Sequence, residues 1–367
     1  MIYFLLPPDG RDFVTGYHGT IAFLHYTLDG TVKECERSMA EATIRDVARR
    51  ADVSVASVSR TLNSPTTVHP ATRERVLRAI ADLHYVPHAG ARSLSMRSSH
   101  TIGVVLPDLH GEFFSELVRG MDREAGALGY QLLLSTMHAD AELASQALRA
   151  MRGRVDGLIV MAPQLDPMAI ESIVPAALPA VLINSADCAE RHLLRIDNRL
   201  GVGLIIAHLL QAGRRRIVHV SGPSGNIDAN QRADAYRETL HRMAPESEPL
   251  IVEGDFSERG GEAAVERLIM EQVHFDALFG ANDMMALGAI EALRSRGITV
   301  PGQVAVAGFD DIPLARYLDL TTVRVCMDEL GARAVSRLVS ELRGEATDRS
   351  VELIEPTLVV RGSSGGK

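Results

Sequence analysis

The sequence predicts an all-α helix-turn-helix head followed by an α/β body of two lobes, each a doubly wound parallel sheet. Three observations carry this. Residues 43–64, TIRDVARRADVSVASVSRTLNS, read as two short amphipathic helices around a tight turn. From Thr101 onward, short β-rich runs alternate with helical patterns, which argues for parallel strands with helices on both faces. The charge is also divided: residues 43–97 hold nine Arg against four carboxylates, a net of +5, which leaves −14 on the rest of a chain whose total is −9.

Within the head, Thr43 can cap the first helix, with Asp46 three positions on as its capping-box partner. Ile44, Val47, Ala48 and Ala51 recur there at helical spacing. Asp52 and Val53 make the turn, and Ser54 can cap the second helix. Val58 and Leu62 point that helix inward, leaving Val55, Ala56, Ser59 and Arg60 on its outer face. In a helix-turn-helix this second helix enters the major groove of DNA; from these residues alone an ordinary helical hairpin stays open. Residues 70–85 form a third amphipathic helix with Pro70 in its first turn.

In the body, candidate strands are 101–106, 130–135, 156–160, 179–184, 216–220, 249–252, 275–279 and 303–307. Helices are expected near 113–128, 140–152, 198–212, 229–242, 258–271, 282–296 and 327–342. The set splits near Asp197. Ligands of such sheets bind beyond the carboxyl ends of the strands, so two facing lobes create one cleft.

A net charge of −9 would argue against nucleic acid if it were spread evenly; a basic head on an acidic body is the footprint of a DNA-binding module joined to something else. Cys35, Cys188 and Cys326 lie far apart without metal-ligand spacing and read as reduced thiols, so no metal and no cofactor is expected. No apolar run approaches the ~18–20 residues of a membrane span. MIYFLLPPDG lacks the basic start of an export signal, which points to a cytoplasmic protein. Residues 1–38 show no sustained period and read as a non-native or poorly ordered extension, with Met39 as the expected start. No Walker loop, GxSxG, HExxH or CxxC is present, so no enzyme is expected. The GVG at 201–203 reads as helix packing, and His208 and His219 as packed rather than catalytic.

VSVASVSRTLN, YVPHAGARSL, ANDMMALGAIEAL, VAVAGFDDIP and LTTV, in this order, resemble the lactose-repressor family of bacterial transcription regulators, over residues 43 to 362. The resemblance implies a periplasmic-binding-protein-like core, with the chain crossing between lobes three times. It sets expected boundaries: an extension at 1–42, a helix-turn-helix domain at 43–86, a hinge at 87–99 and a core at 100–362. The N-lobe is expected at about 100–196 plus 326–350, and the C-lobe at about 197–325 plus 351–362. It also implies a homodimeric regulator, most simply a repressor, on a pseudo-palindromic operator. A small polar effector, a sugar or sugar derivative, is expected between the lobes. A nucleoside- or purine-responsive member is the second reading; a solute-binding protein or an enzyme on the same core is more remote.

On the outer face of the second helix Arg60 is the best candidate for base reading, since Arg can donate twice to guanine O6 and N7; a phosphate contact or a solvated helix charge stays open. By the resemblance Val55 and Ala56 stand where family members discriminate operators, and Ser59 shares their face; partial packing of the two apolar side chains stays open. By the resemblance Ser54, Ser57, Asn63, Thr72 and Tyr85 match phosphate-contact positions, with capping and turn roles open; such contacts position a protein without reading sequence. In the hinge, Ala91 and Arg92 accompany Leu94, the wedge inserted between base pairs of the minor groove. Gly90 departs from the usual β-branched residue or Ala. Asp108, Phe113, Phe114 and Asn184 are expected at the effector from the N-lobe, and Arg232, Phe256, Asn282 and Asp310 from the C-lobe. An aromatic platform beside such polar groups suits a polyhydroxylated ring. Other roles stay open: Asn282 is also placed to cap the following helix, Asp310 to order its loop, and Phe113 to pack in the core. Two departures stand out. Gly111-Glu112 replaces the usual Asn-Pro before the Phe pair, and Met161 replaces a polar contact. Asn226 and Asp228 lie on a loop the resemblance does not assign.

Overall fold

A computed structural model of the chain describes residues 42–63, 65–85, 98–138, 140–188, 191–345 and 351–365. It divides into two compact units, residues 1–88 and 89–367. Residues 1–38 and Met39 lie outside the described residues, as do the hinge positions Ala91, Arg92 and Leu94.

The first unit holds α1 (Ile44–Ala51), α2 (Val55–Asn63) and α3 (Pro70–Asp82). The Thr43 side chain accepts from the Asp46 amide while Asp46 accepts from the Thr43 amide, the reciprocal box that satisfies two otherwise orphaned donors. Asp52 closes α1 in the left-handed region at φ 51°, which a short polar side chain tolerates. Ser54 Oγ then accepts from the Ser57 amide at 3.2 Å and starts α2. Val47, Ala48 and Ala51 of α1, Val58 of α2, Val76 and Ala79 of α3, and Tyr85 make the core, with Ile44 and Leu62 packed against it. Thr61 is buried as well, unannounced by its polarity. Its hydroxyl donates to the Ser57 carbonyl at 2.8 Å, so no polar group is stranded.

The second unit has two all-parallel sheets. The N-lobe sheet runs in the order β11-β5-β4-β3-β1-β2, with β1 Thr101–Leu106, β2 Gln131–Thr136, β3 Gly157–Met161, β4 Ala180–Ile183, β5 His192–Ile196 and β11 Val351–Ile354. The C-lobe sheet runs β7-β6-β8-β9, with β6 Ile217–Ser221, β7 Leu250–Glu253, β8 Ala277–Gly280 and β9 Ala305–Ala307. A small antiparallel pair joins β10 Thr322–Arg324 to β12 Thr357–Val359. Strands β3, β4, β6 and β8 are buried along their whole length, as sheets covered by helices on both faces require.

The N-lobe helices are α4 Glu112–Leu128, α5 Ala141–Met151, α6 Pro167–Ile173 and α12 Met327–Leu342; α7 Asn198–Gln211, α8 Ile227–Met243, α9 Glu258–Met270, α10 Asp283–Ser295 and α11 Pro313–Tyr317 belong to the C-lobe. The GVG of α7 is packing, as expected: a Cβ at Gly201 would fall 2.6 Å from the Phe309 ring.

The chain crosses between lobes after β5, between β10 and α12, and between β11 and β12. The first and third crossings lie side by side, since the Asp197 amide donates to the Ile354 carbonyl at 3.0 Å. This corrects one boundary. The expected return to the C-lobe at 351 comes too early, because β11 pairs in parallel with β5 and extends the N-lobe sheet to Ile354. As an edge strand it leaves Val351 and Leu353 about half exposed, so its sequence carries no inward-facing pattern to assign it. Among the described residues no helix is long and apolar enough to cross a membrane.

Candidate functional site

The exposed face of α2 carries Val55, Ala56 and Arg60, with Ser57 and Ser59 half-buried beside them. Val55 is 41% exposed, an apolar side chain left in solvent while its neighbour Val58 is fully buried. The free ends of this face are lightly held: Arg60 Nε donates to the Ala56 carbonyl at 3.4 Å, and Asn63 Nδ2 donates to Ser59 Oγ at 3.3 Å. Ser54 and Ser57 share a hydroxyl contact of 3.0 Å at the start of the helix. Thr72 is half-buried in the first turn of α3. Tyr85 differs from the other expected phosphate contacts: at 7% exposure its ring belongs to the core of the head.

In the second unit, all eight expected effector residues line one cavity of about 420 Å³. Each follows from topology. Asp108 stands just past β1, Asn184 directly after β4, Phe256 after β7, Asn282 after β8 and Asp310 after β9, at the carboxyl ends of their strands. Phe113 and Phe114 begin α4 and meet edge to face, with ring centroids 5.3 Å apart. The Phe256 ring closes over Gly222, where a Cβ would sit 2.2 Å from it, so glycine makes room for the ring. Asn184, Phe256 and Asp310 hold φ of 40°, 68° and 116°, a clustering of costly backbone that is expected where a site is being shaped.

Arg232 enters from α8 and is 4% exposed. Its Nε donates to Asn198 Oδ1 at 2.8 Å, an Nη donates to the Ala281 carbonyl, and its plane covers the Phe309 ring at 3.9 Å from the centroid. The other Nη stands 4.0 Å from Asp310 Oδ1, an ion pair without a hydrogen bond. Asn198 Nδ2 in turn donates to Asp228 Oδ1 at 2.8 Å. Burial pushes the Asp228 carboxyl up, against the pull of Arg232. Burial also pushes Asp310 up to about 7, with Arg232 pulling it down and Asp228 adding to the rise. Asp283, the first residue of α10, is driven well above the ordinary carboxylate range by burial and then by the neighbouring Asp310. It accepts from Thr322 Oγ1 and, at 2.9 Å, from the Ile312 amide, which ties the Asp310 loop to β10.

The expected residues are not equally free. Asp108 Oδ1 accepts from the Leu109 and His110 amides, leaving Oδ2 for a ligand. Asn184 Oδ1 is taken by the Ile196 amide at 3.1 Å. Asn282 does cap α10, accepting from the Met285 amide at 2.9 Å, and it donates to the Phe256 carbonyl at 2.8 Å. One amide hydrogen of Asn282 is left over, so its first task is to position Phe256. Asn226 caps α8 through the Ala229 amide. Four participants went unforeseen: Asn198, Asp283, the cavity-lining Gln164, and Glu112, whose carboxylate accepts from the Leu314 amide of α11 at 2.9 Å. Only Glu112 had a signal, as a departure from the family pattern. His219 is packed as expected, stacked on Phe279, with burial lowering it to about 3. Among the described residues no group of His, Cys, Asp and Glu is placed to hold a metal ion.

Comparison with known proteins agrees with this geometry. Residues 43–88 match the bacterial regulatory proteins of the lacI family, and residues 206–364 match a periplasmic binding protein-like domain. The chain is similar to the ribose operon repressor of Escherichia coli strain K12, 33% identical over 329 residues that cover 88% of this chain and all of that protein. It is also similar to catabolite control protein A of Priestia megaterium, 33% identical over 88% of this chain and 99% of that protein. Its structure resembles the lac repressor dimer bound to operator and the anti-inducer ONPF, with a TM-score of 0.81 and 29% identity over 88% of this chain and 99% of that one. A cellobiose complex of the transcriptional regulator CelR also matches, with a TM-score of 0.65 and 29% identity. The chain belongs to the lacI family of bacterial regulatory proteins and is a DNA-binding transcription regulator, not an enzyme.

Proposed function

We propose that the protein is a cytoplasmic, homodimeric repressor released from a pseudo-palindromic operator by a small sugar-like effector. The effector sits in the cleft between the lobes. The observation that carries this is the convergence of all eight expected effector residues on one cavity. Of two similar structures, one is a lac repressor dimer bound to operator and the anti-inducer ONPF, and the other a complex of CelR with cellobiose, a sugar. On the DNA side, Arg60 reads a base pair in each half-site, Val55 and Ala56 meet thymine methyls or exclude bulk, and Ser54, Ser57, Ser59, Asn63 and Thr72 hold the backbone. Tyr85, whose ring is in the core of the head, is the least exposed of the proposed phosphate contacts. The hinge at 87–99 supplies Ala91, Arg92 and the Leu94 wedge. The effector acts by binding one lobe arrangement better than the other, which alone lets it shift the equilibrium. Footprinting on genomic fragments tests this. Two protected half-sites related by a dyad, lost when a sugar is added, are expected; a single asymmetric site or tandem direct repeats would rule out the symmetric dimer.

A further inference from the structure

Granted that the cleft takes an effector, its lining restricts the charge of that effector. Five carboxyl groups line the cavity against the single guanidinium of Arg232: Asp108 and Glu112 from the N-lobe, Asp255 from the C-lobe, and Asp228 and Asp310, whose charge burial weakens. Among the described residues no other Arg and no Lys lines it; the remaining basic groups, His110 and His138, are exposed. Arg232 is moreover committed. It is bonded to Asn198 and the Ala281 carbonyl, lies on Phe309, and is shared between the buried Asp228 and Asp310. Little positive potential is left for an incoming anion.

The hydrogen-bonding inventory points the same way. Asp310 is 5% exposed and its Oδ1 has no hydrogen-bond partner. Gln164 Oε1, on the opposite lobe, is likewise buried and unpartnered, and both residues line the cavity. Both orphans are acceptors. A buried acceptor without a donor is costly, and a bound donor relieves that cost. A phosphate or carboxylate brings further acceptors and negative charge beside these orphaned acceptors, where neutral donors such as the spare amide hydrogen of Asn282 offset little of that charge. A hydroxyl or an ammonium group brings what is missing.

We infer that the effector is a neutral or cationic polyhydroxylated ring whose donors bridge Gln164 on one lobe and Asp310 on the other, and that phosphorylated and carboxylated sugars are rejected by charge. Gln164 is then the N-lobe residue through which the ligand draws the lobes together.

Calorimetric titration of the full-length protein at a fixed pH with matched probes tests this: D-ribose against D-ribose 5-phosphate, and D-galactose and D-galactosamine against D-galacturonate, with the same set for glucose. At least one neutral or amino sugar is expected to bind, and its anionic counterpart to bind roughly a hundredfold more weakly. Asp108→Asn with Asp255→Asn, which keeps one acceptor oxygen at each position and removes two charges, should narrow that gap by about tenfold. Gln164→Leu should weaken the neutral sugar by about tenfold. An anionic sugar binding as tightly as its neutral parent overturns the inference and leaves the effector reading standing. An unchanged gap in the double variant, checked as folded by thermal unfolding, overturns rejection by charge. Silence across the whole panel overturns both this inference and the sugar-effector reading.

Discussion

Burial pushes the carboxyl of Asp310 up to about 7, against the pull of Arg232 and with a further push from Asp228. The folded protein therefore keeps a proton that the unfolded chain releases at the ordinary aspartate value of 3.8, and this group's contribution to stability falls as pH rises from about 4 towards 7. Effector binding runs the other way. Hydroxyl donors favour the carboxylate, so binding expels the proton and affinity falls as pH drops below 7. Calorimetry of a neutral sugar in buffers of different ionisation enthalpy is expected to show proton release near pH 6, with the pH dependence flattened in Asp310→Asn; a flat profile in the wild type would contradict the assignment. Arg60 is a second decisive residue. Its guanidinium lies on the exposed face of α2, where among the described residues a 3.4 Å contact to the Ala56 carbonyl holds it. Arg60→Ala should cost about 1–3 kcal/mol of operator binding and relax preference at one base pair per half-site, read by gel shift against a base-substituted series. Equal losses on operator and random DNA would make Arg60 a phosphate contact instead.

Elements were legible in the sequence where a local rule writes them. The Thr43–Asp46 box, the turn at Asp52 and the inward row of Val47, Ala51 and Val58 are all local chemistry, and α1 and α2 appear where that chemistry puts them. The eight proposed effector residues rest on resemblance; Asp108, Asn184, Phe256, Asn282 and Asp310 stand past strand ends that the fold fixes, while Phe113, Phe114 and Arg232 are carried by helices. What was missed has physical reasons. Strand β5, HLLRI, is interrupted by Arg195, whose charge is satisfied in place by the Ser185 carbonyl and Asp187. Strands β10 and β12 have three residues each, below the length at which alternation can be recognised. Gln164 was invisible because its role depends on the opposite lobe. Glu112 is the element-scale case with consequences. It begins α4 in one lobe and caps the start of α11 in the other, so this contact exists only while the lobes hold their present arrangement. Glu112→Ala should lower neutral-sugar affinity several-fold by removing one charge-assisted bond across the cleft mouth, while stability changes by no more than about 0.5 kcal/mol because the contact is exposed. Calorimetry paired with thermal unfolding separates the two effects; a large stability loss with unchanged affinity would make Glu112 a helix-terminus residue and nothing more.

Over the whole molecule, opposite charges are kept apart: +5 on residues 43–97 and −14 elsewhere. The two binding events therefore differ in kind. Operator binding neutralises phosphates and releases their counterions, so log affinity falls with log salt at about −0.9 per phosphate contacted. A neutral sugar in a buried, hydrogen-bonded cleft releases no counterions. Raising salt from 50 to 200 mM is expected to weaken operator binding on the order of a thousandfold, and to leave sugar affinity within about twofold. The coupling between them is a separate quantity. Linkage requires that the factor by which sugar weakens operator binding equal the factor by which operator weakens sugar binding, whatever the salt does to either alone. Asp310→Ala should erase that factor by removing the sugar's C-lobe anchor, while operator affinity without sugar stays near wild type. Gel shift across a salt series, with and without sugar, measures one side of the cycle, and calorimetry of sugar into the operator complex measures the other. If Asp310→Ala lost operator binding together with the sugar response, the cleft carboxylate would be holding the fold rather than the effector, and the division of labour between basic head and acidic body would fail.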